Sequence, residues 1–472
     1  MVQPMDPTAQ GFMLAESRNT PMHVGGLQLF ELPDGAGPGW AREFYEESLK
    51  CEDIRPLFLK RPYRSKTLGG AWAWKRDEQF DLEYHVRHSA LPAPGRVREL
   101  LELVSRVHGT RLALERPLWE LYLIEGMEDG RVAIYTKLHH ALVDGVSGMR
   151  LLQDTLSTDP DEVTPPAWAP RPRPERPRSD DTAEDVPLPR KLAELPLEAV
   201  RTALAMSSEA AGLPAALLRT LNRGIRNETA PLSLHTPRTI LNRPITGARR
   251  FAAQHWSIER INAVAKASDT TINDVVLAMC SGALRHYLLE LGELPPQSLV
   301  AMVPVSLKLA DAHTASSEGG NAVGTLMVKL GTDLADPGAR LHAINRSVVA
   351  GKDALAQMTP TQIVAMSGIG VSPVVLFPML RMQGLTRPPF NLVISNVPGP
   401  RQPLYLRGAQ LTGMYPLSIP VHGQALNITC TSYGGMMNFG LTGCRRTAPS
   451  LQRLLTHLDD ELLALEQAAG VA

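Results

Sequence analysis

The chain has 472 residues, 44% of them hydrophobic and 20% charged, and its 48 basic and 48 acidic side chains give a formal charge of zero. That length exceeds one ordinary core and points to two or three domains, while the balanced charge argues against a whole-surface partnership with nucleic acid. Cys51, Cys280, Cys430 and Cys444 form no Cys-x-x-Cys pair, so they suit reduced thiols rather than a disulfide framework or a zinc site. The first ten residues lack the charged-then-apolar pattern of a signal peptide. The nearest approach to a membrane span, Ile369 to Leu380, is short and broken by Pro373 and Pro378. We expect a protein that does not cross a membrane.

In chain order, Val97 to His108 predicts a helix, with Val97, Leu100, Leu101, Val104 and Val107 on one stripe. Leu121–Ile124 and Arg131–His139 predict adjacent antiparallel strands joined through Glu128-Asp129-Gly130. The second strand ends in Lys137-Leu138-His139-His140-Ala141-Leu142-Val143-Asp144-Gly145, and a helix is expected from Val146 to Asp154. Strand side chains alternate faces, so His139 and His140 point in opposite directions and only one can face a given cavity. His140 shares the more apolar face with Val132, Ile134 and Leu138. A histidine at a strand end beside a turn suits a rigidly held general base.

A composition break from about Asp159 to Arg190, with alternating prolines, predicts an extended connector. Leu192 to Arg223, rich in Ala and Leu, predicts helix. Thr271-Ile272-Asn273-Asp274 has the capping-box form, with aspartate in place of glutamate, and opens a long apolar helix to Leu291. Strands follow at Leu299–Val305, Gly324–Leu330 and Phe390–Asn396, and Gly434-Gly435 turns a hairpin between Asn427–Tyr433 and Met436–Leu441. The expected division is an α/β domain over residues 1–158, a crossover of Pro-rich linker and helices over 159–235, and a second α/β domain over 236–472.

These blocks together resemble the bacterial wax ester synthase/acyl-CoA:diacylglycerol acyltransferase family, within the CoA-dependent acyltransferases that carry His-His-x-x-x-Asp-Gly. The resemblance runs nearly the whole chain. It takes in Pro21-Met22-His23-Val24-Gly25, Phe80 to His88 with Leu91 to Gly95, and Arg116-Pro117-Leu118-Trp119-Glu120. After the double histidine it continues through Thr271 to Ala278, Gly320-Asn321 and Asn391 to Pro400. It implies two chloramphenicol-acetyltransferase-like domains with a substrate tunnel between them. It also implies the substrates: fatty acyl-CoA as donor, and a long-chain fatty alcohol or diacylglycerol as acceptor. No cofactor is then bound permanently and acyl-CoA is a co-substrate.

The resemblance makes His140 the base that takes the acceptor's hydroxyl proton and returns it to the leaving thiolate. His139 is then structural. Asp144 is expected to point away from the histidine and pair with an arginine, and Gly145 to supply a backbone shape that a side chain would obstruct. Asn273, in the first turn of a long helix and carrying an NH2 donor, is the oxyanion candidate; its alternative, and the preferred role of Asp274, is helix capping. Pro117, Leu118 and Trp119 shape the acyl pocket or the core. Ser395 and Asn396 line the tunnel or simply end a strand. No metal is expected, since His85 and His88 fall on opposite faces of an extended run.

The chain is expected in the cytoplasm, in peripheral contact with membrane or lipid inclusions, and without nucleic acid. Leu192–Arg223 and Val371–Leu380 are candidates for that contact, or for packing between the domains. The competing readings are a peptide-condensing or polyketide-linked acyltransferase of the same superfamily, and a non-catalytic lipid-droplet protein.

Overall fold

The computed structural model describes residues 2–37, 39–170, 233, 235–306, 323–379 and 387–471. Most of the Pro-rich connector, the helix expected over 192–223, Gly320-Asn321 and Leu380 lie outside the described residues. Elements are numbered along the chain.

The first six-stranded sheet has the spatial order β12 (Tyr405–Leu406), β13 (Ala409–Leu417), β2 (His23–Glu31), β7 (Val132–His139), β6 (Trp119–Glu125) and β5 (Val86–Ala90). All its neighbours are antiparallel except β5 and β6. The second six-stranded sheet has the order β10 (Val323–Lys329), β9 (Val300–Ser306), β11 (Leu392–Val397), β14 (Leu426–Tyr433), β15 (Met436–Cys444) and β8 (Arg249–Ser257). A small sheet joins β1 (Val2–Pro4), β4 (Trp72–Arg76) and β3 (Lys60–Arg64).

Helices α1 (Pro7–Ala15), α2 (Trp40–Leu49), α3 (Leu82–His85), α4 (Val97–Gly109) and α5 (Gly145–Gln153) belong to the first half. In the second are α6 (Ile258–Ala267), α7 (Ile272–Glu290), α8 (Pro337–Ala356), α9 (Pro360–Met379) and α10 (Arg453–Ala469).

The local patterns explain the elements they came from. The α4 stripe buries Leu100 and Val104 completely. Gly434 and Gly435 both take positive φ, 55° and 79°, as a two-residue hairpin turn between β14 and β15 requires. Helix α7 is buried almost all round from Asp274 to Leu284, which is why its sequence is apolar on every face. It packs against helices α8 and α10 and shares one apolar core with strands of the second sheet.

The two halves share a sheet. β13, far along the chain, pairs with β2 from Gln410↔Glu31 to Leu417↔Gly25 and completes the first sheet at that edge. The stretch expected as a second domain, 236–472, therefore gives β12 and β13 to the first. The cause is that β2 is buried at most positions and needs a partner on both sides, with β7 supplying only one.

Helices α7 and α10 approach closely at Gly282. A Cβ there would sit 2.0 Å from the Glu461 carboxylate. Glu461 is buried and paired with buried Arg340, whose Nη1 also donates to Leu334 O and Ala335 O at 2.9 and 2.8 Å. Burial pushes the Glu461 pKa up, and Arg340 opposes that. Gly282→Ala should displace the carboxylate from Arg340 and cost roughly 3 kcal/mol, the scale of a broken buried pair. Urea unfolding measures this directly, and a loss below about 1 kcal/mol would mean the pair can move with the helix.

Candidate active site

Two backbone hydrogen bonds hold the end of β7, one on each side. His139 N–H donates to Leu118 O at 3.0 Å, and His140 N–H donates to Met22 O at 2.8 Å. The strand's alternation then sorts its side chains. Ile134, Thr136 and Leu138 face an apolar chamber that they line together with Phe30, Trp119 and Trp168. Helices α2 and α5 and residues 164–168 form the chamber's other walls. Tyr135, Lys137 and His139 point to the opposite side, into a buried polar network.

His140, one step past the strand, is only partly buried. Its ring stacks on Phe12 of α1, with centroids 4.1 Å apart and planes at 19°. Burial pulls its pKa below the ordinary 6.5, opposed by its own carbonyl and by Asp144, so the ring is neutral at neutral pH.

His139 is fully buried. Its Nδ1 accepts the Ala141 N–H at 3.0 Å, which places the ring proton on Nε2, 3.4 Å from Glu16 Oε2. Glu16, which no sequence motif marks, joins three groups. Its Oε2 accepts the Met22 N–H at 2.5 Å and its Oε1 accepts Arg111 Nε at 2.8 Å. Glu16 is also the C-cap of α1, four residues after Phe12. Residues four apart share a helix face, so one face of α1 serves both histidines, Phe12 against His140 and Glu16 against His139. No sequence signal marks this, because the partners lie more than a hundred residues apart.

Asp144 is the N-cap of α5, its Oδ1 accepting the Ser147 N–H at 2.7 Å. The expected arginine partner is absent among the described residues: the carboxylate is used by the helix start instead. Gly145 also departs from expectation. It is the first residue of α5, its φ is not in the left-handed region, and a Cβ there would meet nothing within 4 Å, so no obstruction requires glycine.

Pro117-Leu118-Trp119 is a packing motif. Leu118 and Trp119 are buried, and Trp119 Nε1 donates to Phe58 O at 2.9 Å. The Trp119 ring stacks on His85 and Trp168, 4.6 and 5.6 Å between centroids, and lines the chamber. His85 Nδ1 donates to Trp119 O at 2.7 Å, while His88 lies 3.2 Å from Glu125, so the two histidines serve separate partners.

At the start of α7 the capping box is reciprocal: Asp274 N–H donates to Thr271 Oγ1 at 3.2 Å, and Asp274 Oδ2 accepts the Thr271 N–H at 3.0 Å. Asn345 Nδ2 of α8 also donates to that oxygen, at 3.0 Å. Asp274 is thus a buried cap. Asn273 is half-buried on the same turn with its amide uncommitted among the described residues, and no direct contact joins it to the histidines. Ser395 and Asn396 sit on β11 opposite Thr429 and Cys430, half-buried, and neither lines the apolar chamber.

Removing the Glu16 carboxylate strands Met22 N–H and breaks the link to His139. Glu16→Ala should destabilise the protein by about 2 kcal/mol, the scale of a buried donor left unpaired, and Glu16→Gln should recover most of that. Equal urea midpoints for all three proteins would show that the network closes without residue 16.

Comparison with known proteins agrees in sequence and in fold. Residues 5–276 match the wax ester synthase/diacylglycerol acyltransferase catalytic domain, and residues 319–466 match the C-terminal domain of the same group. The chain is 46% identical to the probable diacylglycerol O-acyltransferase tgs2 of Mycobacterium tuberculosis over 472 residues, 99% of each chain. The wax ester synthase/diacylglycerol acyltransferase of Marinobacter aquaeolei VT8 superposes with a TM-score of 0.75 at 39% identity, covering 99% of this chain and 100% of that one. The first condensation domain of the calcium-dependent antibiotic synthetase reaches a TM-score of 0.60 at 15% identity over 99% and 96% of the chains, a likeness of fold alone.

Proposed function

The chain belongs to the wax ester synthase/diacylglycerol acyltransferase family and is an acyltransferase, and from that premise we propose that it moves a fatty acyl group from acyl-CoA to the hydroxyl of diacylglycerol or of a long-chain alcohol, with His140 as general base. The observation that carries this reading is the position of His140: a neutral, partly accessible imidazole pinned at the end of the strand whose apolar face lines a chamber suited to a hydrocarbon chain. The triacylglycerol product rests on the family and the relatives named above; the wax ester product rests on the shared chamber chemistry.

The reaction joins three bodies at once. His140 takes the proton from the acceptor hydroxyl as its oxygen attacks the thioester carbonyl. A tetrahedral intermediate forms with negative charge on the former carbonyl oxygen, and Asn273 donates a hydrogen bond to it. Collapse breaks the C–S bond, and the proton held by His140 passes to the departing CoA sulfur. No side-chain nucleophile is needed. His139, Glu16 and Met22 act on this step only through the position of His140.

The substrates are insoluble, so the protein meets lipid at a surface. No helix among the described residues is long and apolar enough to cross a membrane, and contact is peripheral, with Val371–Leu380 and Leu192–Arg223 as the candidate segments, packing between the domains being their alternative role.

A panel of acyl-CoAs tested against diacylglycerol and hexadecanol, read by CoA release and product ester, tests the function; CoA release without ester would leave only hydrolysis. His140→Ala should abolish ester formation in a protein that still folds, and His139→Ala should keep more activity. Because the base acts when neutral and its pKa lies below 6.5, kcat/KM should be flat around neutral pH and fall only in acid, with a midpoint under 6.5. A midpoint above that value would assign the proton transfer to another group. Asn273→Ala should lower kcat roughly a hundredfold with little change in acyl-CoA affinity; normal kcat with weakened CoA binding would move Asn273 to the donor site.

A further inference from the structure

The chamber beside β7 is mostly apolar, and three of the polar groups that line it are chemically unfinished. Gln28 Nε2, Thr136 Oγ1 and Trp168 Nε1 are buried and have no hydrogen-bond partner among the described residues, and all three residues line the same cavity. Gln28 and Trp168 are 2% exposed and Thr136 is 6% exposed, so bulk water does not meet these groups. Buried polar atoms without partners are rare and costly in folded proteins. Three in one cavity, among Phe30, Phe58, Trp119, Leu121, Ile134 and Leu138, mark a place where the partner comes from outside the chain.

Their position along the cavity sets where on a ligand that partner lies. Thr136, on the chamber face of β7, precedes His140 by four residues along the chain, and Gln28 stands opposite Ile134, six residues before it. At ~3.4 Å per residue these levels are about 14 and 20 Å from the histidine. Three bonds of an extended polypeptide backbone span at most ~3.6 Å, so a hydrocarbon chain covers the same reach in roughly eleven to seventeen bonds. A chain whose reacting carbonyl is at His140 meets the polar groups in its distal half, well beyond a glycerol ester.

We propose that the chamber selects acyl chains bearing an oxygen function, a hydroxyl or a keto group, in the distal half, with Gln28, Thr136 and Trp168 as its hydrogen-bond partners. The donor set fits that chemistry. Trp168 can only donate, the Gln28 amide donates and accepts, and the Thr136 hydroxyl does both, so one chain oxygen satisfies groups that a plain hydrocarbon leaves unpaired. The inference rests on the acyl-transfer reading of His140 for the direction in which the chain lies.

The test compares 12-hydroxyoctadecanoyl-CoA with octadecanoyl-CoA against one acceptor, in the wild type and in Gln28→Met, Thr136→Val and Trp168→Phe. The wild type should favour the hydroxylated chain roughly tenfold in kcat/KM, the scale of one net hydrogen bond. In the variants that ratio should fall toward one, whatever the absolute rates. Thermal shifts with the free acids, 12-hydroxyoctadecanoate and octadecanoate, give the same comparison without turnover and identify any variant that does not fold. Equal rates and equal shifts in the wild type, or a preference that survives all three substitutions, would overturn the proposal. A preference for the plain chain would mean that water alone occupies these groups, and would overturn it too. A selective thermal shift with no turnover of either thioester would retain the chamber's selectivity and remove the acyl-transfer reading instead.

Discussion

The pair of backbone hydrogen bonds that grip the end of β7, from Leu118 on one edge and Met22 on the other, decides how every group around the histidines is placed. A strand held on both edges cannot rotate, so the alternation of its side chains becomes a fixed partition of space. The chamber lies on the side of Ile134, Thr136 and Leu138, and His139 lies on the side of the buried network. A slip of one residue in the register of β7 against β2 would exchange the two faces, and would drive Lys137 into the apolar chamber.

The polar side of the sheet explains why that exchange is costly. Lys137 is fully buried, with Nζ 2.8 Å from Glu120 Oε2 and donating to Val107 O and Thr110 O at 3.2 and 3.0 Å. Burial lowers its pKa, and Glu120 opposes that. Glu120 is in turn met by the Tyr122 hydroxyl at 3.0 Å and by Arg87 at 3.4 Å. Nearby, His108 Nε2 donates to Ser418 O at 3.0 Å and its Nδ1 accepts the Tyr135 hydroxyl at 2.7 Å, with burial pushing its pKa down to about 3. A buried charged pair of this kind adds little net stability over an apolar one but penalises every arrangement that leaves a member unpaired. The network therefore acts as a lock on register.

The same contacts bind the two halves of the chain. Ser418 follows β13, the strand from the second half that closes the first sheet, and Phe251 N–H of β8 donates to Ser105 Oγ of α4 at 2.8 Å. Arg249 reaches Asn19 O at 2.7 Å, in the loop between Glu16 and the Pro21-Met22-His23 block. The loop that carries Met22 to His140 is thus steadied by the second sheet, and the histidine's position depends on residues from both halves.

Local order was legible in the sequence because its causes are local. The α4 stripe, the Thr271–Asp274 capping box and the β14–β15 turn at Gly434-Gly435 each follow from residues within one or two turns of each other. The family resemblance was legible too, since its blocks are short and contiguous. Three things were decided only by the tertiary structure. β13 joins the first sheet because a doubly buried β2 needs a second partner, and nothing in either strand names the other across almost four hundred residues. Glu16 and Phe12 reach the two histidines because α1 happens to lay one face across the end of β7. Asp144 caps its own helix and meets no arginine among the described residues, since the N–H of Ser147 is three residues away in a fixed geometry and an arginine would have had to come from elsewhere in the fold. A sequence states which short-range bonds a residue can make; which distant groups arrive to compete for it is set by packing alone.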